Sequence, residues 1–518
     1  MSYLDLFRAT LPETALEIAA LLVLVVDLGL LRRAATEARR TVAVLLGVLG
    51  CGAAMFAIAL PAQGALIFGS DVLLASNGST SAAQVGILAL TELTLFLFID
   101  EEFTEHVGEF VAVVLMAAAG GLVISAAQDL LVIFIGLELL SLGLYILTAF
   151  AKKSARSAEA AMKYYLFGGM SAAFLLFGFS YLYGLSGSTS LPKVVMGTYL
   201  ASAHGGLPLL VVALVMVAAG LGFKVAAAPF HLWAPDTYEG APAPAAAFIA
   251  SVSKVASFAL LITISTVALH FFESFHFAGG HITATAYAAG APQPHVTVGI
   301  PALWYWVLII LAALSMIVGN LAALAQVSVR RLLAYSAVAH AGYILLGLAY
   351  FSYSPRSAQA ILYYVLTYGL TTIGAFAAVA AVERATGSDR LDAFLGLHKR
   401  NGALAAVMLV LFLSLAGIPP LVGFWAKFNL FAAVLAVGNA SGWALGLVAL
   451  AIAMSAVSLY YYLQVLKRAY VMQGVEEARI RVPAMTMAVL VIVSLAVLAL
   501  GVFPGAMQGW IAGFYPGM

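Results

Sequence analysis

The stretch GFKVAAAPFHLWAPDTYEGAPAPAAAFIASVSKVASFALL, residues 222–261, puts Lys224 and Lys254 inside apolar runs and sets Pro229, Pro235, Pro242 and Pro244 between them. An ionised side chain at membrane depth costs roughly 2.5–3.5 kcal/mol on insertion scales. Proline removes a backbone donor and interrupts a helix. Irregular backbone at membrane depth persists only where protein or a wet cavity surrounds it. The stretch therefore reads as the interior of a helical membrane protein, with a broken helix beside two buried ammonium groups.

The rest of the chain agrees. It has 518 residues, 64% hydrophobic and 9% charged, against about 25% charged in a soluble domain. The net charge of +1 gives nucleic acid nothing to bind. The single cysteine, Cys51, excludes an internal disulfide and offers no thiolate set for an iron–sulfur cluster or structural zinc. No glycine-rich phosphate loop or dinucleotide fingerprint is present. The N-terminal segment carries Asp5, Glu13 and Glu17 ahead of its apolar run, and reads as a retained first span rather than a cleaved signal.

The fold class is all-α and polytopic. Apolar spans are expected near 12–31, 41–60, 82–99, 109–126, 128–150, 161–184, 207–228, 243–268, 302–323, 331–351, 358–382, 402–437, 442–466 and 483–503, fourteen in all. Basic residues test this count, because they gather in cytoplasmic loops. Seventeen of the 24 lysines and arginines fall in odd-numbered loops, for example Arg32, Arg33, Arg39 and Arg40 after span 1. Even-numbered loops hold only Lys193 and Arg356. Both termini are therefore expected outside the cytoplasm. Segment 402–437 is too long for one straight span, and Pro419-Pro420 interrupts it. One broken, tilted helix keeps the charge pattern.

RSAEAAMKYY (156–165) and RSAQAILYY (356–364) resemble each other, and LYILTAF (144–150) is weakly echoed by GYILLGL (342–348). The shared offset is about five spans. An odd number of spans inverts the second copy, and inverted repeats with broken helices mark transporter-like architecture.

Four basic residues remain inside spans: Lys163, Lys224, Lys254 and Lys427. Left unpaired they would cost on the order of 10 kcal/mol together. They must be paired, hydrated or neutral. Lysine suits titration, because burial disfavours its charged form and a nearby carboxylate restores it. Glu138, mid-span in LLVIFIGLELLSLGLY, is the obvious acid. It is either a structural salt-bridge partner or a proton-relay carboxylate. Lys224 and Lys163 lie near span ends and could snorkel; Lys254 cannot easily reach either surface, and Lys427 follows the Pro419-Pro420 break. His231 and His340 could bridge protonation sites or be satisfied core histidines. His270, His276, His281 and His295 read as solvated residues of a long loop, 269–301, and form no metal motif. Asp27, Glu92 and Asp129 have no assigned role. DEEFTEHVGE (100–109) reads as a solvated acidic loop.

GLELLSL (136–142), KYY (163–165), GFKVAAAPFHLWAPDTYEGAPAP (222–244), SKVA (253–256), RRLLAYSAVAHAGY (330–343) and SLAGIPPLVGFWAKF (414–428) together resemble the antiporter-like membrane subunits of respiratory complex I. Fourteen spans without a long C-terminal extension, and a lysine in the last broken helix, resemble the subunit N type of NADH–quinone oxidoreductase. One sister type has glutamate where Lys427 stands here. The resemblance implies an N-terminal part (1–108), two inverted five-helix repeats (109–268 and 302–466) and a last helix (467–518), with helices 7 and 12 broken. It implies that Glu138 and Lys224 form a switchable ion pair, that Lys254 is the central proton carrier and Lys427 the terminal one, and that His231 and His340 connect them. Lys163 matches a helix-6 lysine of this subunit type. The resemblance further implies proton translocation in a bacterial inner membrane, beside a neighbouring antiporter-like subunit, small membrane subunits and lipids. No redox cofactor is expected in this chain; flavin, iron–sulfur clusters and quinone are expected in partner subunits.

Three other readings compete. A subunit of a multi-subunit cation/proton antiporter or membrane-bound hydrogenase shares the lysine–glutamate arrangement. A structural scaffold would use its ion pairs only to join helices. A stand-alone solute transporter would carry substrate by itself.

Overall fold

The computed structural model describes residues 7–60, 66–68, 71–277, 300–351, 356–436, 442–473 and 478–514. His281 and His295 lie outside them. Among the described residues, twelve helices are long and apolar enough to cross a membrane. Two further spans are interrupted. Span 1 is Leu11–Val25 followed by a π-helical turn, Val26–Leu30. Span 12 is two helices, Gly402–Ala416 and Val422–Ala436. The fourteen expected spans are thus all helical. Span 7, Leu207–Lys224, stops at its lysine, and a short helix, Trp233–Gly240, follows the break.

The core lies on spans 8 (Ala243–Phe277), 10 (Val329–Ala349) and 11 (Arg356–Thr386). Each has 94% of its membrane-length stretch buried, against 22% for span 13, Gly442–Tyr470. Polar groups on spans 8, 10 and 11 are therefore shielded from lipid by protein.

The repeat is written in the backbone. Span 5 (Leu130–Thr148) is capped by Asp129, which pairs with Ser190; span 10 is capped by Ser328, which pairs with Arg390. Gly187 closes span 6 (Ala155–Ser186) in the left-handed conformation, φ 70°, and Gly387 closes span 11 at φ 71°. A Cβ on Gly120 would meet the Leu140 nitrogen at 2.6 Å, and one on Gly319 would meet the Ala339 nitrogen at 2.5 Å. Span 4 (Val107–Ala126) thus crosses span 5 as span 9 (Ile300–Leu324) crosses span 10, each crossing needing a glycine. These matched pairs sit five spans apart.

Two unassigned acids are structural. Asp27 accepts from Arg39 Nε at 2.7 Å and Nη2 at 2.8 Å, and from the Gly108 amide. Asp129 accepts from Leu131 N at the head of span 5. The acidic run 100–109 corrects the expectation of a purely solvated loop. Asp100 accepts from Thr486 N and Oγ1, at the start of span 14 (Ala484–Val502), and Glu101 pairs with Arg384 at 2.5 Å. Asp100 thus caps the start of span 14 and Glu101 balances Arg384, while Glu102 and Glu105 are exposed.

Candidate proton-transfer axis

The broken ends of spans 7 and 12 build the site. A helix that stops inside protein leaves carbonyl oxygens without amide partners, at the negative end of its dipole. An ammonium group satisfies both. Lys254 Nζ, on span 8, donates to the Val225 carbonyl at 3.0 Å and to the Ala337 carbonyl of span 10 at 2.8 Å. Lys427 Nζ donates to the carbonyls of Leu415 at 3.1 Å and Ala416 at 3.0 Å, and to Ser455 Oγ of span 13 at 2.9 Å. Val225 stands four residues before Pro229, and Ala416 four before Pro420, so the two breaks present carbonyls at matching places. Lys254 is 2% exposed and Lys427 6%. Ala226, in the first break, has φ 57°, a left-handed conformation disfavoured for a residue with a Cβ.

Lys224 ends the first half of span 7. Its Nζ is 3.8 Å from Glu138 Oε1 and donates to Ser141 Oγ, one turn further along span 5. The pair is at the long limit of an ion pair, with a hydroxyl already engaged. The carboxylate is 27% exposed and the ammonium 7%. Glu138 stands among exposed Leu131, Ile135, Leu142 and Ile146 on one face of span 5.

His340, three residues beyond Ala337, is gripped through both ring nitrogens. Tyr364 of span 11 meets Nδ1 at 2.8 Å; Tyr462 of span 13 lies 3.5 Å from Nε2 and also bonds Ser336. Beyond it, the Tyr343 ring centroid is 5.5 Å from Lys427 Nζ, within cation–π range. Span 10 thereby carries Ala337, His340 and Tyr343 in order from Lys254 to Lys427.

His231 lies in the first break, 6% exposed, its ring 6.0 Å from that of Tyr335; its Nδ1 has no hydrogen-bond partner. Lys163 is placed differently. It is 40% exposed and pairs with Glu159 at 2.7 Å and Asp236 at 2.8 Å. Six of the seven expected residues thus line the broken helices and their neighbours, and Lys163 sits in an ion network at the shoulder of Trp233–Gly240. Sequence reasoning missed Ser141, Ser455, Tyr364 and Tyr462, whose only signal was a hydroxyl within an apolar span. Among the described residues, no group of three or more His, Cys, Asp or Glu could hold a metal.

This chain is similar to known proteins over nearly its whole length. Residues 127–291 and 277–453 match the family described as NADH:quinone oxidoreductase/Mrp antiporter, TM. NADH-quinone oxidoreductase subunit N 2 of Acidobacterium capsulatum is 46% identical over 521 residues, covering 99% of each chain. A chain of respiratory complex I from Thermus thermophilus superposes with a TM-score of 0.74 at 32% identity, over 96% of this chain and 98% of that one. A chain of the Mrp complex from Dietzia superposes equally well, TM-score 0.74, over 97% of this chain and 98% of that one, but at 20% identity shares the fold alone. The chain belongs to the subunit N family of NADH–quinone oxidoreductase.

Proposed function

We propose that this chain moves protons as a membrane subunit of NADH–quinone oxidoreductase, along an axis from Glu138 and Lys224 through Lys254 and His340 to Lys427. The single observation that carries the reading is the placement of Lys254: a buried ammonium held by the Val225 carbonyl of a broken helix and by the Ala337 carbonyl of span 10, and Ala337 stands three residues before His340, a histidine gripped by two hydroxyls. Each group can take or give one proton, and each adjoins the next element of the chain of sites. A proton arriving on Lys254 repels one on its neighbours, because close charges in a partly buried site interact by about 4 kcal/mol at 4 Å. Glu138 acts on this sequence through Lys224. With the carboxylate close, the ammonium is held; with it withdrawn, the proton is released inward. His231, in the first break, supplies the link from the aqueous side, and Lys163, through Asp236, an exchangeable pair beside it.

In this reading NADH oxidation and quinone reduction take place in partner subunits, and this chain holds no redox cofactor. The repeats are 109–268 and 302–466, preceded by an N-terminal part at 1–108 and followed by a last helix at 467–518. The membrane is the bacterial inner membrane, with both termini on its outer side, a reading that the distribution of basic loops supports. The exposed apolar face around Glu138 is the side presented to a neighbouring membrane subunit or lipid, where an ionised carboxylate needs a partner.

The first experiment is a native gel of mildly solubilised membranes stained for NADH oxidation. This chain should migrate with a large NADH-oxidising band. Migration in a smaller assembly without that activity would favour a cation/proton antiporter instead, and the next assay would be sodium-dependent proton exchange. Substrate flux from the chain reconstituted alone would favour a solute transporter.

A further inference from the structure

Span 9 carries no acidic or basic side chain, yet it holds a buried amide beside the last site of the axis. Asn320 is fully buried. Its Nδ2 donates to the Met316 carbonyl at 2.7 Å and to the Tyr343 hydroxyl of span 10 at 3.1 Å. Its Oδ1 accepts from the Tyr461 hydroxyl of span 13 at 3.2 Å. A carbonyl oxygen can only accept, so the amide atom facing Met316 is the nitrogen. That fixes the direction of the bonds: Tyr461 donates to Asn320, and Asn320 donates to Tyr343.

Tyr343 is the ring over which the Lys427 ammonium lies, 5.5 Å from its centroid. The His340 ring is 5.8 Å from it, and that of Phe431, one turn beyond Lys427 on the same half-helix, 6.0 Å. These neighbours pack the ring without fixing its tip. Among the described residues, Asn320 is the hydrogen-bond partner of the Tyr343 hydroxyl. The crossing of spans 9 and 10 does not itself require an amide. The first repeat makes the same crossing at Gly120, and Gly121 follows it, where Asn320 follows Gly319. The amide therefore belongs only to the copy that contains Lys427.

We propose that Asn320 is a positioning residue for proton transfer at Lys427, holding Tyr343 by its hydroxyl so that the ring face meets the ammonium. This rests on Lys427 being a proton carrier. An aromatic face attracts an ammonium through its quadrupole and has no such attraction for a neutral amine. The ring thus acts on one of the two forms between which Lys427 must alternate. With the hydroxyl released, the ring can rock away, and the distinction between the two forms weakens. The Leu415 and Ala416 carbonyls and the Ser455 hydroxyl stay in place, so the lysine remains held while its proton exchange changes.

The test uses the assembled complex in inverted membrane vesicles, with NADH-driven acidification measured against pH and expressed as the ratio of variant to parent. Asn320→Leu removes the amide bonds at nearly constant volume. Its ratio should fall severalfold toward alkaline pH, where protons are scarce and attraction for the ammonium matters most. Tyr343→Phe should give the same slope, and the double variant should lose no more than either alone. The other titratable groups facing this site are His340 of span 10, Tyr364 and Tyr368 of span 11, and Tyr461 and Tyr462 of span 13, and all variants keep them. A ratio constant with pH, or losses that multiply in the double variant, would leave Asn320 a packing role and overturn the proposal. If Asn320→Leu does not assemble, Tyr343→Phe carries the test, because it frees the ring tip and leaves Asn320 bonded to Met316 and Tyr461. A flat ratio for that variant counts equally against the proposal. Lys427→Ala separates the two layers. Normal acidification in it would overturn the axis and the proposal together; lost acidification beside a flat Asn320→Leu ratio would overturn the positioning alone.

Discussion

Lys254 Nζ lies 3.0 Å from the carbonyl oxygen of Val225, the residue that follows Lys224. The break in span 7 therefore joins the two lysines: one ends the half-helix and the other binds its exposed end. A shift of that end alters the surroundings of both at once.

Removing Lys254 should separate assembly from pumping. Relay groups in acid–base chemistry contribute about 10²–10⁴-fold. Lys254→Ala should therefore sharply reduce proton transfer through this subunit and lower coupled quinone reduction, while the complex still migrates at full size on a native gel. The Val225 carbonyl, past the end of its helix, would then need water, at about 1–3 kcal/mol if it stays dry. Lys427→Ala should act alike. A scaffold would instead retain full turnover in both variants.

Glu138 and Lys224 should behave as one unit. At 3.8 Å the pair is loose, but contacting residues show coupling of about 0.5–3 kcal/mol in double-mutant cycles. Glu138→Ala and Lys224→Ala should each lower coupled quinone reduction, and the double variant should lose less than the two losses combined. Additive losses, measured as turnover of the purified complex, would mean that the residues act separately.

His340 should depend on Tyr364 more than on Tyr462. The first hydroxyl is at 2.8 Å and the second at 3.5 Å. Tyr364→Phe leaves a buried ring nitrogen unpartnered, a loss of about 1–3 kcal/mol, and should reduce vesicle acidification more than Tyr462→Phe does. Equal effects would place the histidine's main support elsewhere.

Gly417 should resist substitution. It closes the first half of span 12 at φ 87°, and a Cβ there would sit 3.0 Å from Lys427 Cδ. The left-handed conformation costs an L-residue roughly 1–2 kcal/mol. Gly417→Ala should lower the thermal midpoint of the complex and disturb the Leu415 and Ala416 carbonyls, so proton transfer should fall with it. Gly387→Ala, strained at φ 71° but with open space around it, should lower the midpoint without that second effect.

Glu101 should give stability a pH slope. Burial raises its carboxyl above the ordinary 4.5 in the folded chain. The folded state then holds its proton more tightly than the unfolded one, so the contribution is present at low pH and is lost as pH climbs from 4.5 through the folded value. Glu101→Gln should flatten that part of the curve of heat inactivation against pH; an unaltered curve would assign the slope to another group.

Much of this architecture was legible in the amino-acid order. Span positions follow from apolar length, and the alternation of basic loops agrees with the count so reached, because both properties are local. The repeat was visible in two short echoes, and the structure extended it to the cap pairs Asp129–Ser190 and Ser328–Arg390 and to the glycine crossings. Four lysines at membrane depth could be named because each is a costly exception to its surroundings.

Glu138 was named for Lys224 and stands 3.8 Å from it; the partners of the other three could not be named. The sequence alone determined that these lysines needed pairing, hydration or neutrality. The tertiary structure decided that Lys254 and Lys427 are held by backbone carbonyls, at the ends of broken helices and, for Lys254, also within span 10, rather than by carboxylates, and that Lys163 joins Asp236 at the shoulder. A carbonyl oxygen belongs to every residue and so leaves no mark in the order of amino acids. Ala337 is 83 residues from the lysine it binds, and only the packing of spans 8 and 10 turns that carbonyl into a ligand.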